Sequence, residues 1–176
     1  TSRDLVLQGG ADIVGGFYAM LMLMLALLAG SFAVSSALRP RGEEDAGRVE
    51  GLLATRLARS TWLGGHVLVT VAGAVVVLGA AGLGLGVSYA LVTGDGGAVW
   101  RMTWQVLTLL PGVFVLSGFA RLLHGVAPRA ASLAWLSVLL AYLVLIFGEL
   151  LKLPQWLQDL SPFEHLAMVP VEDFRW

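Results

Sequence analysis

The chain alternates between long apolar runs and short, densely charged segments. Asp12 and Arg39 bracket 26 residues without an Asp, Glu, Lys or Arg; Arg59 and Asp95 bracket 35; Arg101 and Arg121 bracket 19; Arg129 and Glu149 bracket 19. A helix needs roughly 20 apolar residues to cross the hydrocarbon core of a bilayer, and each run supplies about that many. The pattern predicts four transmembrane helices, at about 16–38, 64–92, 102–123 and 131–151. Pro and Gly set the expected boundaries. Arg39-Pro40-Arg41-Gly42 should stop the first span, Thr93-Gly94-Asp95-Gly96-Gly97 the second and Pro154 the fourth, while Pro111 should kink the third. At 1.5 Å per residue, the roughly 29 residues of the second span reach about 43 Å, so that helix tilts or protrudes.

Residues 43–58 carry a different pattern. Ala46, Val49, Leu52, Leu53 and Leu57 share one helical face, and Arg48, Glu50, Thr55, Arg56 and Arg59 fall largely on the other. Glu43, Glu44 and Asp45 lie where the start of such a helix is expected, and acids there complement the helix dipole. Glu44 and Arg48 form an i,i+4 pair. The segment reads as a short amphipathic helix between two spans, suited to lie on the membrane face and dock a partner. A plain interfacial helix with a solvated charged face has about equal weight on physical grounds alone.

Composition sharpens this picture. The 176 residues are 57% apolar and 13% charged, against about 45–50% and about 25% in soluble domains. The expected fold class is all-α integral membrane, which excludes a soluble enzyme. A net charge of −1 gives no basic field for nucleic acid. No cysteine is present, and His66, His124 and His165 are too far apart in sequence to suggest a local metal site. Lys152 is the single lysine and no Gly-x4-Gly-Lys-Ser/Thr run occurs, so this chain is not expected to cradle ATP phosphates or to act as an enzyme by itself. The chain opens at Thr1 with no signal-peptide pattern, as a fragment of a longer chain would.

Loop charge predicts orientation. Arg39, Arg41, Arg48, Arg56, Arg59, Arg121 and Arg129 lie on one side; Arg3, Arg101, Lys152 and Arg175 lie on the other with eight of the twelve acids. The seven-Arg side should be cytoplasmic, with both chain ends and residues 152–176 outside the cell. Tyr18, Tyr89, Trp100, Trp104 and Trp156 then fall near the outer interface, Trp62 and Trp135 near the inner. One further helix at each end would return both termini to the cytoplasm, so a six-helix unit is expected.

Few side chains stand out within the spans. Gly82 and Gly86 form a small-x3-small pair, more often static helix contact than a sliding gate. Glu149, near the outer end and three residues from Lys152, is the acid closest to a membrane interior. Arg59, Trp62, Arg121 with His124 on its face, and Arg129 are expected to anchor helices at the inner headgroups. No mid-membrane charge remains, which argues against a proton-driven antiporter and suits apolar or amphipathic cargo.

The loop resembles a known family. Glu43, Glu44, Gly47, Glu50, Leu52, Leu53, Ala54, Thr55, Arg59, Trp62 and His66 fall where the cytoplasmic loop of ABC-2-type permeases has its pattern, with Arg48 where a small residue or Thr is usual. The run from Leu153 through Pro154, Trp156, Ser161, Pro162 and Phe163 to Leu166 is similar to the extracellular stretch before the last helix in the actinobacterial "exporter of polyketide antibiotics" branch. Ten Arg against one Lys fit such a source. The resemblance implies helices two to five of a six-helix unit, the second of two fused in one chain. It also implies that residues 43–58 are a coupling helix seated in a cleft of a separate ATP-binding subunit, itself a dimer, which binds ATP and Mg. The implied function is the permease part of an ATP-driven exporter in the bacterial plasma membrane, moving hydrophobic compounds such as antibiotics outward. Lipid or peptide export is the neighbouring alternative, and a membrane scaffold that docks a cytoplasmic partner is the alternative of another class.

Overall fold

The computed structural model describes residues 2–45, 47, 58–147 and 162–163. Among them the chain is helical throughout its regular structure, with α1 at Ser2–Asp45, α2 at Arg59–Thr93, α3 at Gly97–Leu107 and α4 at Leu110–Val126. A 3₁₀ segment at Pro128–Leu133 leads into α5 at Ala134–Phe147. Four stretches are long and apolar enough to cross a membrane: Val14–Glu44, Ser60–Thr93, Gly97–Val126 and Pro128–Phe147. The fold is an all-α membrane bundle.

Helix α1 is its centre. Ala19, Met22, Leu23, Ala26, Ala29, Ala33 and Ala37 recur at helical spacing and are all buried. This largely small face packs on α2, α4 and α5, where Ala74, Leu78, Val113, Leu116, Ala120, Ala134 and Ala141 complete the core. Small side chains let the helix axes approach, which is how membrane helices gain van der Waals contact. Helix α2 buries every fourth residue: Thr70, Ala74, Leu78, Gly82 and Gly86. A step of four advances about 40° around a helix, so this row winds along α2 and serves two neighbours in turn. Near the loop end it meets α1, through Thr70 against Ser36. Further along it meets α3, where a Cβ on Gly82 would lie 2.7 Å from the Thr103 Cα and one on Gly86 would lie 2.6 Å from the Val99 Cα. Backbone touches backbone there, and only Gly fits.

The boundaries differ from the sequence expectation in two places. Pro40 does not stop the first span; α1 runs through it to Asp45, and Pro40 is buried. The stop is Gly47, whose φ of 66° is left-handed and whose N–H bonds the Glu44 carbonyl at 3.0 Å. The acids Glu43 and Glu44 therefore close α1 instead of opening a separate helix at 43. Contacts made by those acids across the bundle, described below, hold the helix together beyond its proline. The third span also differs: it starts at Gly97 and is two helices, because the ladder breaks at Thr108–Leu109 and Pro111 stands in the first turn of α4. Proline tolerates a first turn, where its missing N–H would have no partner.

The second span ends at the expected glycines. Gly94 has a φ of 76° and donates to the Ala90 carbonyl at 2.8 Å. Asp95 accepts from Gly97 N–H at 3.0 Å and from Arg101 Nη2 at 2.9 Å, closing the turn into α3. The Arg101 hydrogen bond holds the Asp95 carboxyl below its usual range. That turn therefore keeps its clasp at neutral pH and loses it only in acid, as the pH falls through the lowered value.

The glycine crossing yields a paired prediction. Gly86→Ala should destabilise the bundle by about 1–3 kcal/mol, because Val99 backbone must shift to admit a methyl group. Gly79→Ala, on the same helix with nothing within 4 Å of its Cβ position, should stabilise by about 0.5–1 kcal/mol. Unfolding of the purified domain in detergent measures both.

Candidate functional site

The side-chain polar contacts that tie α1, α2 and α4 together gather at one end. It is the end where α1 finishes, α2 begins and α4 finishes, and it carries the loop between the first two spans. Two consecutive acids leave α1 about 100° apart, so each reaches a different neighbour. Glu43 Oε2 lies 3.4 Å from Nε2 of His66 on α2. Glu44 Oε2 lies 3.4 Å from Nε2 of His124 on α4. Each pair is an ion pair when its imidazole is protonated. His124 Nδ1 is buried without a hydrogen-bond partner among the described residues.

Below these contacts lies a knot centred on Thr70, which is fully buried. Its hydroxyl donates to the His66 carbonyl at 2.8 Å. With that single proton used, Ser36 Oγ at 2.8 Å must be the donor of their shared bond, and Arg121 Nη2 donates from 2.6 Å. Arg121 Nη2 also reaches the His66 carbonyl at 3.4 Å. One hydroxyl thus joins α1, α2 and α4, and His66 belongs to both the knot and the Glu43 contact. Trp62 packs its buried ring edge-on to His66, with centroids 5.0 Å apart.

The structure brings together only part of the candidate set. Glu43 and Glu44 face histidines of their own bundle, and Gly47 is exposed at the turn that leaves it. Arg48, Glu50, Leu52, Leu53 and Arg56 lie outside the described residues, as does Glu149. Arg59 is the first residue of α2, and Arg129 is exposed on the 3₁₀ segment. Arg121 and His124, expected at headgroups, turn into the bundle instead, because a buried hydroxyl, a carbonyl and a carboxylate there all need partners. Gly82, Gly86 and Pro111 are remote from this end. Sequence reading missed His66 and His124 as partners of the acids, since His66 lies 23 residues beyond Glu43 and His124 lies 80 beyond Glu44. The available signal was the i,i+3 pairing of Arg121 with His124 on one face of an otherwise apolar helix. No metal-binding group of three His, Cys, Asp or Glu occurs among the described residues.

Apolar grooves flank α5 on both sides. One, of about 480 Å³, lies between α1 and α5 and is lined by Met24, Leu28, Ser31, Trp135, Leu139 and Tyr142. Another, of about 460 Å³, lies between α4 and α5 and includes Phe119, Leu123, Leu136, Leu140 and Pro162. Both have the size and apolar walls of small-molecule sites.

The knot makes its own prediction. Thr70→Val keeps the shape but strands Ser36 and Arg121, and should destabilise the domain by about 1–3 kcal/mol. Thr70→Ser retains the oxygen and should restore most of that loss in the same detergent unfolding measurement.

Comparison with known proteins agrees with this architecture. Multidrug efflux system permease protein Rv1217c of Mycobacterium tuberculosis is 35% identical over 176 residues, which cover 98% of this chain and 32% of that protein. The chain thus spans about a third of the length of this relative. A family model described as the multidrug efflux system permease Rv1217c, C-terminal domain, matches residues 2–176. A match over nearly every residue shows that the chain belongs to the family of this permease C-terminal domain.

Proposed function

We propose that this chain is the membrane-spanning part of an ATP-driven exporter that moves hydrophobic and amphipathic compounds out of the cell. The observation that carries the reading is the family match over residues 2–176 to a protein named as a multidrug efflux permease. The fold supports it: four membrane-crossing helices, and two apolar grooves of drug-sized volume beside α5. Apolar walls bind by shape and burial with little chemical identity, which suits a broad cargo range.

The energy source belongs to a separate subunit in this proposal. With one lysine, Lys152, and no phosphate-cradling motif, ATP and Mg are bound elsewhere, by an ATP-binding dimer at the cytoplasmic face. The seven-Arg end faces the cytoplasm, and a second six-helix unit completes the transport path. Contact with the ATP-binding subunit falls to the loop, through Gly47, Arg48, Glu50, Leu52, Leu53 and Arg56. Glu43 and Glu44 are engaged by histidines within the bundle, so Glu50 is the acid assigned to the partner.

Two experiments test this. In inverted vesicles holding the full-length permease and its ATP-binding subunit, an amphipathic dye should accumulate only with ATP, and its failure to do so overturns the proposal. Glu50→Ala should leave insertion intact but weaken co-purification of the two subunits by on the order of 30-fold or more, as loss of a desolvated charge partner costs about 2–5 kcal/mol. Orientation is checked separately, in a segment that has no native cysteine. Gly96→Cys and Gly125→Cys both have open space at the Cβ position. An impermeant thiol reagent applied to whole cells should label the first and spare the second; the reverse pattern overturns the topology.

A further inference from the structure

We propose that the paired contacts Glu43–His66 and Glu44–His124 form the joint that fixes the root of the cytoplasmic loop to the bundle, with His66 and His124 as positioning residues for energy coupling. The inference rests on the exporter reading above and adds to it where the motion of the loop is delivered.

The geometry points there from several directions. Gly47 and Ala58 flank the loop, with Glu43 and Glu44 about one turn before Gly47 and His66 about two turns after Ala58. Adjacent positions on α1 send one carboxylate to α2 and the next to α4, so a displacement of the end of α1 acts on two helices together. Both acids face histidines of neighbouring helices. Both are in the last turn of α1, where carboxylates oppose the helix dipole, so their place is explained by the histidines they face and not by helix formation.

The joint is also backed by a stiff element. His66 is tied through its carbonyl to Thr70 and Arg121, and Thr70 is tied to Ser36. A shift of His66 therefore disturbs hydrogen bonds that join all three helices. Among the described residues α5 contributes no polar contact to this network, its one side-chain bond being Ser137 to its own Ala134 carbonyl. Loop movement is delivered to α2 and α4, while among the described residues α5 packs on α1 and α4 without a polar side-chain contact to either. Side-chain pairs of this kind can part and re-form, which the backbone-to-backbone glycine crossing at the far end cannot do.

The test uses the full-length permease with its ATP-binding subunit in proteoliposomes, and reads cargo moved per ATP hydrolysed. The His66→Ala/His124→Ala double variant should assemble and hydrolyse ATP but move about tenfold less cargo per ATP. With Glu44 and His124 native, His66→Ala alone should lower the ratio, and the reciprocal exchange Glu43→His/His66→Glu, which rebuilds that pair in reverse, should recover most of this single-variant loss. An unchanged ratio in the double variant, or a loss that only tracks the fraction of folded protein, overturns the joint. Amide hydrogen exchange supplies a readout independent of transport. The double variant should exchange faster at residues 42–47 and 58–66, with Gly82–Val99 protection unchanged. If native protein shows no ATP-driven transport, the exporter reading fails while exchange still decides the joint; unaltered exchange at the loop root overturns the joint even where transport is present.

Discussion

Hydrocarbon gives helices no hydrophobic reason to associate, because lipid tails are as apolar as leucine. Close van der Waals contact and polar ties must do that work, and α1 supplies both. Its alanine face, from Ala19 through Ala26, Ala29 and Ala33 to Ala37, brings three other helices near enough for their side chains to interlock. At the end of the same face Ser36 reaches Thr70, and about two turns further on Glu43 and Glu44 reach two histidines. Larger residues along that stripe would hold the helices apart and leave the Thr70 hydroxyl and the Arg121 guanidinium without partners. The polar end of the bundle exists because the apolar middle is thin.

The two ends of α2 are held by different physics. At Gly82 and Gly86 the backbone of α3 lies where a Cβ would be, so contact depends on the absence of a side chain and tolerates almost no displacement. At His66 and Thr70 contact depends on side chains with rotatable bonds and exchangeable partners. The first arrangement is stiff whatever the conditions. The second can be remade by a shift of an ångström. The adjustable end is the one that carries the loop between the first two spans.

Much of this was legible in the sequence. Windows free of charge located all four spans, and Gly94 stopped α2 where the glycine run implied, because left-handed backbone is a local demand that glycine meets locally. Gly82 and Gly86 marked a close approach, though the sequence did not say to which helix. The partners of Glu43, Glu44 and Arg121 were not legible. Each lies on another helix, dozens of residues away, and only the bundle geometry brings it within 3.4 Å. The third span's break was half legible: Pro111 signals an interruption, but a kink and the start of a new helix have the same sequence signature.

Pro40 is the instructive failure. By local rules it should end α1, since interior proline costs about 3 kcal/mol, and three acids in the last turn, Glu43, Glu44 and Asp45, add an unfavourable dipole interaction. Local choices normally agree with the global fold, and the places where they conflict are where function or strain is found. Here two such conflicts fall within six residues, Pro40 to Asp45, shortly before Gly47 and the loop. A span that ended at Leu38 would satisfy every local preference, yet it would leave the loop root unattached to α2 and α4. The extra turn past the proline has no use to a helix that merely crosses a membrane. It has a use to a helix that must carry force from a loop into its neighbours.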